Sequence, residues 1–311
     1  MHLPRLALFL SSCVFLCACG QDSDTVVSSG DGGADTTIVS VYSVNYPLAW
    51  AAEQLLGESA QINFPAPQDI DPAFWQPDLE TVSAYQQADI VLLNGANYAR
   101  WLPRVSLVEN RLLDTSRAFR DQFIPMNKGP LHSHGPEGQH SRGEFAFTLW
   151  LDLSLYLQQV NAIATALQER QAQQPEGIAR RQQGIVERIT ALDAELEKLG
   201  QTFNGAPILY SHPVYQYFNR RYHFNGRSLH WEPDQLPSKQ DWSELVSLLE
   251  HHAASVMLWE AEPLTQTRDR LAELGVAVVV FNPMGNRPEV NDFYTGMTAN
   301  IDRLRAAMPP R

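Results

Sequence analysis

Short apolar runs alternate with longer amphipathic stretches along most of this chain. Ile38-Val39-Ser40-Val41-Tyr42 reads as a buried strand, and residues 47–56 read as a helix that Gly57 closes. Residues 79–88 predict another helix, which feeds the strand Ile90-Val91-Leu92-Leu93 and the turn Asn94-Gly95. In the middle, Leu153, Leu157, Val160, Ile163 and Leu167 recur at steps of four and three, the stripe of one buried helix face. The pattern restarts after Gln174-Pro175-Glu176-Gly177 with Ile185, Ile189, Leu192, Leu196 and Leu199, and Gly200 is expected to cap this second, longer helix. Alternation then resumes: strand 207–210, helix 213–222, strand 256–259, helix 264–274, strand 276–281 and helix 292–308. Strands and helices in this order predict an α/β protein of two parallel-sheet lobes joined by a long connecting helix. Ligands in such sheets bind beyond the carboxyl ends of the strands, and in two-lobed proteins between the lobes.

The first residues concern destination rather than fold. Arg5 precedes an apolar run, residues 6–19, too short to span a bilayer. It ends in Leu16-Cys17-Ala18-Cys19-Gly20, which resembles the lipobox of bacterial lipoproteins and implies cleavage before Cys19 and acylation of its sulfur. An ordinary secretory signal cleaved nearby is the plainer alternative; both export the protein to the periplasmic or cell-surface side of a bacterial membrane. The expected organisation is a signal peptide over 1–18, a Gly/Ser/Asp-rich tether over 19–36, an N-terminal lobe over 37–150 with a His-rich loop at 127–143, a helical connector over 151–202 and a C-terminal lobe over 203–311.

Composition narrows the chemistry. The three cysteines, Cys13, Cys17 and Cys19, all fall in the leader, so any metal site in the mature chain must use nitrogen and oxygen ligands. A net charge of −12 lacks the basic face that nucleic acid needs. Three imidazoles, His132, His134 and His140, lie within nine residues that include Gly135, Pro136 and Gly138. That is a metal-binding composition on turn-forming sequence, where an extended apolar-periodic element is not expected; a solvated loop is the plainer reading. No Gly-x-Ser-x-Gly elbow and no HExxH helix occur, so the chain reads as a binding protein and not an enzyme.

Local segments add a resemblance. Val41-Tyr42-Ser43-Val44-Asn45-Tyr46-Pro47-Leu48, Asp71-Pro72-Ala73-Phe74-Trp75-Gln76-Pro77, Asn94-Gly95-Ala96 with Trp101-Leu102, Trp150-Leu151-Asp152, and Tyr210-Ser211-His212 with residues 217–222 occur in order. Together they resemble the zinc/manganese-binding solute-binding proteins of bacterial ABC importers over residues 38–308. The resemblance implies a metal cleft between the lobes, three histidines and one carboxylate as ligands, a membrane permease as partner, and a monomer held by its lipid anchor. Ala73 and Thr148 stand at the first two histidine positions, Asn282 stands at the carboxylate position, and only His212 is retained.

Two readings follow. In one, His132, His134 or His140 replace the lost imidazoles and join His212 around a divalent ion, zinc or else manganese, with Glu260 or Glu262 as the carboxylate and Asn282, His230 and Glu232 as supporting groups. In the other, the site has decayed, and the chain is a non-transport accessory lipoprotein that binds another ligand or collects metal. Asn225-Gly226 signals a hairpin on which His230 and Glu232 share a face. His251 and His252 end a helix, and His223 reads as structural.

Overall fold

The computed structural model describes residues 39–57, 60–126, 145–170 and 175–307, with two short backbone pairs at 132–133 and 139–140. Both lobes carry the same parallel topology. The N-terminal sheet contains β1 (Val39–Ser43), β2 (Ala60–Asn63), β3 (Ile90–Leu93) and β4 (Leu112–Asp114) in the order β2-β1-β3-β4. His132–Ser133 (β5) and Gln139–His140 (β6) pair antiparallel, His132 opposite His140. Two residues a side can pair through backbone bonds without any apolar periodicity, so this pair leaves the expectation of no extended apolar-periodic element untouched. The C-terminal sheet contains β7 (Pro207–Tyr210), β8 (Asn225–Ser228), β9 (Val256–Trp259) and β10 (Ala277–Val280) in the order β10-β9-β7-β8. In each lobe the first strand is flanked by the second and third, so the winding direction reverses beside it.

Caps set the helices. Asn45 accepts from Leu48 N and Pro47 presets the first turn of α1 (Tyr46–Leu56), which Gly57 ends at φ +58°. Asp78 caps α2 (Leu79–Gln87). Helices α3 (Leu153–Arg170) and α4 (Pro175–Phe203) follow. The C-terminal lobe adds α5 (Gln216–Tyr222), α6 (Lys239–His251), α7 (Thr265–Glu273) and α8 (Phe293–Ala306). Helices α6 and α8 begin with reciprocal capping boxes, Ser238 with Asp241 and Asp292 with Thr295.

Two expectations need correction. Gly200 does not end α4, which runs on to Phe203; a Cβ at Gly200 would stand 2.0 Å from the Tyr222 carbonyl oxygen, so this glycine serves close helix packing. Asn225-Gly226 opens β8, a strand parallel to β7, and makes no hairpin. Gly226 is required there because the Tyr210 ring and Asn219 Oδ1 lie 2.2 and 2.4 Å from where its Cβ would sit. Strands β2 and β4 were not anticipated; their four and three residues are too short to show a period.

One hydrophobic core crosses the molecule. Val41, Ile90 and Leu92 of the first sheet and Ile208, Val256 and Leu258 of the second join it through Ile185, Ile189, Leu196 and Leu199 of α4. Alternate residues of the second sheet, Leu209, Met257 and Trp259, face a smaller cluster with Trp231, Trp242 and Leu271. This two-sided burial is what a parallel sheet demands. The segment after β10 is stitched to the N-terminal lobe: Tyr46 N donates to Gly285 O (3.0 Å), Trp150 Nε1 to Pro283 O (2.6 Å) and Trp50 Nε1 to Asp292 Oδ2 (3.0 Å). Asn286 Nδ2 lies 2.6, 3.3 and 2.8 Å from the carbonyl oxygens of Pro67, Gln68 and Ile70. No described helix is long and apolar enough to cross a membrane.

Candidate metal centre

Strand order places the site. Where the winding reverses, the loops beyond the carboxyl ends diverge and leave a crevice. In the C-terminal lobe this happens between β7 and β9, which lead into His212 and Glu260. Their side chains meet, with His212 Nδ1 3.2 Å from Glu260 Oε1. The segment after β8 brings Glu232 Oε1 to 3.5 Å from His212 Nε2, and sets the His230 ring edge-on to His212 at 6.0 Å between centroids.

Local hydrogen bonds explain the convergence. Ser211 N donates to Leu258 O (2.9 Å), while Leu229 N and Trp231 N donate to Tyr210 O and Ser211 O (2.8 Å each), so the ends of β7, β8 and β9 are tied together. The chain is extended here, and alternation sends Trp231 into the smaller core while His230 and Glu232 reach the opposite side. Burial alone would lower the His212 pKa. The hydrogen bond and charge of Glu260, with the charges of Glu232 and Asp71, outweigh it and hold the imidazolium above its ordinary range.

Asp71 comes from the N-terminal lobe. Its carboxylate accepts from Ala73 N at 2.9 Å, and its carbonyl accepts from Phe74 N and Trp75 N, closing a tight turn. Asp71 is solvent-exposed, while protein atoms crowd around its carboxyl. Lost hydration pushes the carboxyl up to about 6. The Glu260 charge adds to the rise, while the Ala73 amide, His212 and Arg100 oppose it. Sequence reasoning quoted Asp71 within a motif but did not select it. An acid two residues before the lost histidine position Ala73 was the available signal.

The positions where the resemblance expects the other ligands are buried or hydrogen-bonded within the fold. Ala73 is fully buried. Thr148 Oγ1 donates to Val214 O at 2.5 Å, in the loop that carries His212. Asn282 Oδ1 accepts from Met284 N at 2.7 Å, and Asn282 lines a separate groove of about 630 Å³ with Gln68, Asp69 and Asn286. Glu262 is exposed and ion-paired with Arg268. His252 Nε2 lies 3.1 Å from Ile208 O, and His223 ends α5 in the left-handed region at φ 57°. His134 and Cys19 lie outside the described residues, as do the side chains of His132 and His140. Among the described residues no three His, Cys, Asp or Glu side chains are gathered around one point for a metal ion. The geometry explains this at the core of the site, where Glu232 and Glu260 approach opposite nitrogens of the same ring.

Known proteins are similar to this chain in sequence and fold. The chain is 21% identical to the high-affinity zinc uptake system protein ZnuA of Bacillus subtilis, over 96% of both chains. It is 23% identical to the zinc-binding lipoprotein AdcA of Streptococcus pneumoniae over 97% of its own length, and spans 61% of that longer relative. Among solved structures, the metal-dependent lipoprotein YcdH of Bacillus subtilis superposes with a TM-score of 0.73 at 16% identity, covering 86% of this chain and 98% of the other. Zn(II)-bound AdcA of Streptococcus pneumoniae gives 0.72 at 19% identity, over 87% of this chain and 57% of that one. The sequence profile of the family described as zinc-uptake complex component A, periplasmic, matches residues 41–307, and the chain belongs to that family.

Proposed function

We propose that this protein captures a divalent transition metal, zinc foremost, outside the cytoplasm and delivers it to the permease of an ABC importer. The observation that carries the reading is His212 against Glu260 beyond the carboxyl ends of adjacent β7 and β9, with Asp71 facing them from the other lobe. Neutral imidazole and carboxylate are ordinary zinc ligands, and they replace the ion's water as it binds. The action is binding and release. No covalent chemistry enters it, in keeping with a family of transport components. His132, His134 and His140 enter this reading as a further reserve of imidazole nitrogen. Cys19 is proposed as the lipidated residue that keeps the protein at the membrane, and replacement of Cys19 by Ser should leave an uncleaved or soluble form.

The bound core favours release by loop and side-chain movement over wide lobe opening. A core shared by both sheets and α4, together with the stitching of 283–293 to the N-terminal lobe, resists hinge motion. The test is elemental analysis of protein purified without chelator, followed by equilibrium dialysis against zinc and manganese. About one equivalent of tightly held zinc supports the reading. Protein that takes up neither ion would place it instead with accessory lipoproteins whose metal site has decayed.

A further inference from the structure

We infer that the cargo site has been rebuilt on the carboxyl ends of the C-terminal sheet, with His212, His230, Glu232 and Glu260 as its donors and Asp71 facing them. The inference rests on the reading of the protein as a metal carrier. Three neighbouring strands end in this group: β7 leads to His212, β8 to His230 and Glu232, and β9 to Glu260. Two imidazoles and two carboxylates are a sufficient set for four-coordinate zinc, with enough oxygen to accept manganese. Meanwhile the family positions Ala73, Thr148 and Asn282 are committed to burial or to hydrogen bonds within the fold.

Charge points the same way. Glu232 and Glu260 both stand against one imidazole, 3.5 and 3.2 Å from its two nitrogens. Two carboxylates held on one ring repel each other once that ring is neutral, and a divalent cation relieves the repulsion. In this structure the His212 ring lies between the two glutamates, one nitrogen toward each. Ring and both glutamates cannot share an ion in that arrangement. Binding therefore requires the ring to turn or one glutamate to swing to the other's side. These movements occur within one lobe, so capture does not depend on bringing the lobes together.

Cobalt(II) provides an optical probe with zinc-like preferences, and zinc competition gives affinity. The wild-type protein should bind one equivalent of cobalt with visible absorption typical of a tetrahedral nitrogen–oxygen site. His230→Ala and Glu232→Gln should each weaken zinc by about tenfold or more and change the cobalt spectrum. His230 is exposed and Glu232→Gln is isosteric, so circular dichroism and the metal-free melting temperature should stay near wild type. If either variant keeps wild-type affinity and spectrum, the one-lobe site is overturned while the carrier reading stands. Wild-type protein that binds no divalent ion overturns both.

Discussion

His212 and Glu260 follow adjacent strands of one sheet, and their side chains meet at 3.2 Å where the winding of that sheet reverses. The pair is a consequence of topology, since β7 and β9 are the two strands between which a doubly wound sheet opens its crevice. Glu232 reaches the same ring from β8, at the edge of the sheet.

The pH dependence of metal-free stability follows from this pair. A histidine whose folded pKa is raised contributes stability that is fully present below its unfolded value, about 6.5, and is lost as pH rises through the folded value. Asp71 acts in the same direction at lower pH. Its carboxyl is raised from 3.8 to about 6, so the folded state loses stability as pH rises between those values. Urea midpoints of chelated protein should therefore fall from pH 4 to 6 and again above 6.5. Asp71→Asn should remove the first fall and His212→Gln the second. Unchanged profiles in both variants would show that neither group titrates as described.

Gly200 offers a test in which two physical effects oppose each other. Helix propensity alone favours Gly200→Ala by about 1 kcal/mol. The Tyr222 carbonyl oxygen 2.0 Å from the added Cβ makes the change destabilising, by about 1–3 kcal/mol, because α4 and α5 must separate. Chemical denaturation decides the sign. A stabilised variant would mean that the two helices do not approach this closely.

That glycine also marks how far the sequence could be read. The apolar stripe of α3 placed it to within a few residues, because a buried helix face repeats over several turns, and α1, α7 and α8 were placed as closely. Gly200 and Gly226 were misassigned for one reason. A glycine kept for a tertiary approach looks, in sequence, like a glycine kept for a turn. Of the candidate site, the sequence pointed to His212 through its motif and to Glu260 after the run Val256-Met257-Leu258-Trp259, and the structure brings those two together. The closeness of Glu232 to the imidazole was not legible, since it depends on parallel β8 lying beside β7 where a hairpin was expected. Asp71 was not selected because it comes from the opposite lobe and its own segment shows only a turn.

Asn286 is expected to hold the segment that leads into Asp71. Its amide reaches the carbonyl oxygens of Pro67, Gln68 and Ile70 across the lobes. Asn286→Ala should cost about 1–3 kcal/mol and raise amide exchange over residues 67–71. Zinc affinity should fall less in an Asp71→Asn background than in the wild type, because the effect passes through that carboxylate. Equal losses in both backgrounds would assign Asn286 a purely structural role.

The histidines of the 132–140 segment can be separated from the cleft by stoichiometry. With the C-terminal sheet supplying a sufficient donor set, joint replacement of His132, His134 and His140 by Ala should leave the tight zinc affinity within about threefold and remove only weaker, additional ions. Calorimetric titration distinguishes this from the alternative in which these imidazoles replace the lost ligands. In that case the triple variant would lose the tight phase itself, as strongly non-additive ligands of one ion do.

The central claim is that His212 anchors the tight site, and zinc titration of His212→Ala against a chromophoric chelator tests it most directly. The account predicts loss of tight binding by about a hundredfold or more, with the fold retained by circular dichroism. The zinc-induced rise in melting temperature should shrink accordingly, because mass action on the folded state is lost with the affinity. A His212→Ala protein that binds one equivalent of zinc as tightly as wild type would contradict the account.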